Sequence, residues 1–248
     1  MFVKTCAAVS LVVLAMACWS FAWPTTVSSR QITSDVLSKK VTAFDSTKTS
    51  MVDQLVELAS ALEVPIGIEG IYDPRQPPSP EIHLKGATAL GVLQEIVRHH
   101  PEYGWEVSPD IVHVFARSIV NDPRNYLNIR LPQYRAKDID LLGMSWMLRL
   151  QIKIFLYPER YRNGWGGGYG GYQPPSWKVP KSLELHDVTV RDILTSFVTI
   201  TGNALWISCI DQTQMMENGK YFIQHSYDNM SLEPQKDFYW DLVPTSRR

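Results

Sequence analysis

Cysteine is scarce in this chain of 248 residues: there are three, Cys6, Cys18 and Cys209. The first two lie in or beside an N-terminal apolar run, so a chain that loses this run keeps only Cys209 and forms no internal disulfide. Beyond that run, no stretch is apolar enough to cross a bilayer, which takes roughly 20 consecutive residues. An excess of one charge is also missing. With 24 Lys+Arg against 25 Asp+Glu, the net charge of −1 gives no bulk electrostatic reason to bind nucleic acid or acidic membranes. The chain lacks a G-x-S-x-G elbow, S-x-x-K, H-E-x-x-H and a P-loop, so no catalytic residue, metal ligand or cofactor is assigned. What is present is a globular composition. The 45% hydrophobic and 11% aromatic fractions exclude a wholly disordered chain, and the length fits one or two domains.

The N-terminus reads as an export signal. Lys4 supplies a positive start, and residues 6–17 (CAAVSLVVLAMA) form a 12-residue apolar run of signal-core length. Ala15-Met-Ala17 and Ser20-Phe-Ala22 both fit small-residue cleavage sites. The expected location is periplasmic or secreted. Cys18 offers the alternative of lipoprotein processing.

The remainder is doubled. A shift of 101 residues aligns 81–105 with 182–206 without a gap, and Leu84, Thr88, Leu93, Val97 and Trp105 meet Leu185, Thr189, Leu194, Val198 and Trp206. In each copy a short alternating stretch reads as a strand. Thr88 or Thr189 then caps a helix with an apolar stripe: Val92, Leu93, Ile96 and Val97 in one, Ile193, Leu194, Phe197 and Val198 in the other. Pro101 and Gly202 end the two helices, and strand character resumes at Trp105 and Trp206. Upstream, a shift of 88 aligns a helix (Val52, Leu55, Val56, Ala59, Leu62) and a strand (Ile66, Ile68) with a second helix (Leu142, Trp146, Met147, Leu150) and strand (Ile152, Ile154, Leu156). The spacing predicts an α+β protein of two tandem small modules. Each is strand-helix-strand-strand-helix-strand-strand, with two helices on one sheet face and Trp105, Trp206, Leu93 and Leu194 in the cores. The expected boundaries are a signal peptide at 1–22, a leader at 23–40, modules at 41–118 and 124–228, an insertion at 158–181 and a tail at 229–248.

Phe44-Asp45, Leu55-Val-Glu-Leu-Ala59, Val64-Pro-Ile-Gly-Ile68, Leu84-Lys-Gly86 and Leu93 together resemble the secretin and TonB short N-terminal domain. A more diverged second copy follows. Gly91 stands where that family has an acidic or polar residue. The resemblance implies a periplasmic docking or assembly module with an envelope protein as partner, not an enzyme.

Few residues suggest chemistry. His99-His100 ends a helix, where cationic side chains complement the dipole. His83 and His113 alternate with apolar neighbours and are expected on the solvent face of a sheet. Asp138 with Asp140, and Glu57 with Glu63, read as solvated helix charges. Residues 161–177 hold six Gly and five aromatics, and Trp165, Tyr169, Tyr172 and Trp177 are candidate contact residues. The leading expectation is envelope protein–protein docking, and the alternative is cell-wall or glycan binding through those rings. A hydrolase whose site carries no motif is the third reading.

Overall fold

The computed structural model describes residues 37–161, 175–202, 204–225 and 240–245. The expected signal peptide lies outside these residues. Among the described residues no helix is long and apolar enough to cross a membrane.

The first half follows the expected order: β1 (Ala43–Ser46), α1 (Met51–Leu62), β2 (Ile66–Ile71), β3 (Ile82–Lys85), α2 (Ala89–Arg98), β4 (Tyr103–Val107) and β5 (Val112–Ala116). Ser50 caps α1 by accepting the Asp53 N–H, and Glu63 closes it in the left-handed region at φ 53°. Pro65 then forbids continuation, because the residue before a proline is pushed out of the α region. Thr88 caps α2 through the Gly91 N–H.

The second half contains a 3₁₀ turn (Tyr126–Asn128), β6 (Arg130–Ile139), α3 (Leu141–Leu156), α4 (Pro158–Tyr161), a 3₁₀ turn (Pro175–Trp177), β7 (Lys181–Thr189), α5 (Val190–Thr201), β8 (Ala204–Met215), β9 (Phe222–His225) and β10 (Asp241–Pro244). Thr189 and Asp192 form a reciprocal capping box on α5, and Gly202 ends that helix in the left-handed region. The strand expected at Ile152, Ile154 and Leu156 is absent, because these residues are the last turns of α3. Between Gly143 and Pro158 no Gly or Pro interrupts the helix, whereas the first half has Pro65 at the equivalent place.

This difference corrects the picture of two separate modules. The second half has no counterpart of β2, and β2 itself fills the gap. It pairs parallel with β5 on one side (Ile66↔Val112 to Glu69↔Phe115) and parallel with β8 on the other (Gly67↔Trp206 to Ile71↔Ile210). One six-stranded sheet results, ordered β10-β8-β2-β5-β4, with β9 also on β8. The pairs β1–β3 and β6–β7 form separate two-stranded ribbons.

Strand alternation assigns the two faces of the large sheet. Ile66, Ile68 and Gly70 of β2 share a face with Cys209 and Tyr103, while Gly67 and Glu69 share the other with Trp206, Ser208 and His113. Residues 66–70 are all buried, so both faces are covered. Met51 and Val52 of α1 wall a groove on the first face, while Arg191 of α5 and Tyr126 reach the second. Ile66 and Ile68 are each fully buried, worth about 1.5–3 kcal/mol apiece in transfer from water.

The shared sheet explains three further placements. Trp206 on interior β8 is fully buried, whereas its counterpart Trp105 on edge strand β4 is only half-buried. Gly67 is required where it stands, because a Cβ there would meet the Trp206 ring at 2.5 Å. His113, expected on a solvent face, is buried because β5 lies inside a sheet covered on both sides. Leu93 and Leu194 lie in the core, and Trp240 is buried beside β10, its Nε1 donating to Ser145 Oγ at 2.8 Å.

Candidate functional site

Three places concentrate polar groups or leave them open: a buried ionic cluster, a groove beneath the Pro-rich loop 73–80, and the outer edge of β4.

The cluster joins the two halves. Glu69 is fully buried in the middle of β2, and the Arg191 guanidinium grips it with both arms, Nε to Oε2 at 2.9 Å and Nη2 to Oε1 at 3.0 Å. His113 Nε2 lies 3.2 Å from Oε2, and the Asn125 amide donates to Oε1. Arg191 donates further to Asn128 Oδ1 at 2.8 Å and the Val120 carbonyl at 3.2 Å. Burial alone would raise the Glu69 carboxyl, but the His113 hydrogen bond and the Arg191 charge outweigh it and hold the group below its ordinary range. Both carboxylate oxygens are occupied, so the cluster fastens β2 to the second half of the chain. Nothing local in Ile-Gly-Ile-Glu-Gly-Ile announces it, since a lone Glu in such a run reads as the polar position of a half-exposed strand.

The groove opens beyond the carboxyl end of β2, where both neighbours run parallel to it and such sheets form their crevices. It comprises adjoining hollows of about 430 and 710 Å³ that share Ile71, Asp73, Gln76, Pro77, Ser79 and Tyr103. Ser79 Oγ lies 2.8 Å from His100 Nε2, and His100 Nδ1 lies 3.5 Å from Glu102 Oε1. Gln76 Nε2 approaches His100 Nδ1 at 3.5 Å and donates to Glu102 at 3.1 Å. Burial lowers the His100 pKa, against the opposing pull of Glu102.

The order hydroxyl, imidazole, carboxylate is that of an activated nucleophile. Acyl transfer also needs N–H donors aimed at the developing oxyanion. The Ser79 N–H is committed to the Thr49 carbonyl at 2.8 Å, and Pro77, Pro78 and Pro80 have no N–H to offer. The contacts of Ser79, His100 and Glu102 tie the Pro-rich loop to the end of α2. His100 is thus an anchoring residue, beyond the helix-end decoration expected of it. Deeper in the groove, burial pushes the Cys209 thiol up to about 12, which keeps it protonated.

The third place is β4, the last strand of the large sheet. Its ladder with β5 is bracketed by two hydrogen bonds, Arg117 N–H to the Glu102 carbonyl and Ser108 N–H to the Ile111 carbonyl. Antiparallel alternation then turns Gly104 and Glu106 inward to β5, and Trp105 and Val107 outward. Among the described residues the outward backbone groups of Trp105 and Val107 have no partner, and Val107 is 43% exposed.

Of the residues expected to form a contact surface, Trp165, Tyr169 and Tyr172 lie outside the described residues. Trp177 is buried at 2% exposure and offers no contact face, because its 3₁₀ turn folds it inward ahead of β7. His83 is exposed between Asp45 and Glu81, which raise its pKa, and His99 bonds Glu95 at 3.0 Å. Asp140 caps α3 by accepting the Gly143 N–H, Asp138 sits at φ 51° against Ser182, and Glu57 accepts from Ser46. None of these carboxylates is paired with another as acid and base. Among the described residues no group of three or more His, Cys, Asp or Glu is placed to hold a metal ion.

No family model, no curated protein and no solved structure matches the chain.

Proposed function

We propose that this chain is a docking or assembly module of the cell envelope, acting through protein–protein contact without catalysis of its own, in the service of secretion or outer-membrane transport. The observation that carries the reading is the edge of β4, which among the described residues is open and ends a sheet otherwise covered on both faces. Unpaired strand edges recruit other chains unless they are blocked. The resemblance of residues 41–117 to the secretin and TonB short N-terminal domain supports the same role. The signal-like N-terminus supports a periplasmic or secreted location, with lipid attachment at Cys18 as the alternative route.

A photo-crosslinking residue placed at Val107 in cells tests the reading. The expected result is a discrete adduct with one envelope protein that does not form from the same probe at Glu184 on β7. No adduct from Val107, or the same adducts from both positions, contradicts it.

A further inference from the structure

Of the devices by which sheet edges are usually kept apart, β4 carries only its short length and the single charge of Glu106. Its five residues, Tyr103-Gly-Trp-Glu-Val107, include no Lys, Arg or Pro, and its register with β5 is regular throughout. The β6–β7 ribbon differs in each respect. Its register shifts between Ala136 and Ile139, Asp138 and Asp187 sit at positive φ, and Lys137, Asp138, Glu184 and Asp187 line it with charge.

The open stretch of β4 is short and defined. At Tyr103 the backbone is already used, its N–H donating to the His100 carbonyl and its carbonyl accepting from Arg117 Nε. Among the described residues Trp105 and Val107 present the free donors and acceptors, and both side chains lie on the face shared with Val112 and Val114. Between them Glu106 points to the opposite face with 66% of its side chain exposed, its Oε1 lying 3.5 Å from His113 Nδ1. An incoming strand thus meets two apolar positions on one face and one carboxylate on the other.

Charge decides which strand fits. A second copy pairing antiparallel, with Trp105 against Val107 and Val107 against Trp105, would set Glu106 directly opposite Glu106, a destabilising like-charge pair. Shifting by one pair in either direction spends bonds on Tyr103, whose groups are taken, or on Pro109, which has no N–H. We infer that β4 accepts an extended segment of a partner protein that places a Lys or Arg opposite Glu106 and apolar residues opposite Trp105 and Val107. This inference rests on the docking reading and names the chemistry of the partner.

The test uses the ¹⁵N-labelled full chain and two blocked heptapeptides, TTVKVTT and TTVEVTT. TTVKVTT is expected to shift the Trp105 and Val107 amides saturably and to slow their hydrogen exchange, and TTVEVTT to bind at least about tenfold more weakly. Val107→Pro deletes only an outward N–H, which edge strands tolerate, and is expected to abolish the effect while the Gly104 and Glu106 amides stay protected. Glu106→Lys, at an exposed position, is expected to reverse the peptide preference. Unshifted Trp105 and Val107 amides, equal binding of both peptides, or unchanged binding by Glu106→Lys overturns the inference. If that happens while Val107 still crosslinks an envelope protein in cells, docking stands and only the partner chemistry falls. Peptide binding at β4 without any crosslinked partner supports the edge chemistry and removes the docking reading.

Discussion

Replacing Arg191 by Met removes the cation from the joint between the halves and leaves the fully buried Glu69 carboxylate with only His113 and Asn125. Breaking a buried ion pair on one side costs about 3–5 kcal/mol, because the remaining charge stays desolvated. Arg191 keeps 19% of its side chain in contact with water, which favours the lower end, about 3 kcal/mol. For a protein of this size that corresponds to a fall in Tm of about 6–12 °C. The loss depends on pH. In the parent chain the folded Glu69 carboxyl lies below its ordinary value of 4.5, so its contribution is present above that value and is lost as pH falls through the folded one. Without Arg191, burial, the largest single influence, is opposed only by His113 and Asn125, and the carboxyl is expected to rise relative to the parent chain. A raised folded value makes Glu69 least costly at low pH and increasingly costly as pH rises. The gap between variant and parent is therefore widest near pH 7 and narrows toward pH 4. Urea unfolding at both pH values measures it, and adding Glu69→Gln to Arg191→Met is expected to restore part of the loss at pH 7. A loss below about 1 kcal/mol, or one that does not change with pH, would refute the assignment of this pair as the joint.

Two other perturbations probe separate parts of the structure. Gly67→Ala sets a methyl against the buried Trp206 ring and is expected to cost about 1–3 kcal/mol in denaturant unfolding with an unchanged m value; full stability would mean that β2 and β8 are not neighbours at this register. The Cys209 thiol, held up to about 12, is expected to resist iodoacetamide at pH 8 in the native chain and to react at the ordinary rate in urea; equal rates would place it outside the groove.

Local features were legible in the sequence, and long-range ones were not. Thr88, Thr189 and Asp192 announce their helix starts because a cap is a contact over three residues. The segment 152–156 misleads because Ile-Lys-Ile-Phe-Leu alternates like a strand yet continues a helix that nothing stops before Pro158. The shared sheet left no periodic trace, since β2 and β8 are separated by the whole of the second half before α5 ends. Ile66–Ile71 is an apolar run with glycines, which fits a strand buried on both faces, and burial on both faces requires a second layer from elsewhere in the chain. Glu69 and Arg191 lie 122 residues apart, so their pairing carries no spacing signal. The β4 edge was equally hidden, because Trp105 and Trp206 align in sequence and only the sheet order makes one an edge and the other a centre.

The central structural claim is that one sheet, with β2 in its middle, unites both halves of the chain. Backbone NOEs in the full chain test it most directly. Cross-strand NOEs between 67–71 and 206–210 in parallel register are expected, together with those linking β2 to β5. A spectrum in which 41–118 and 124–228 show NOEs only within themselves would contradict it.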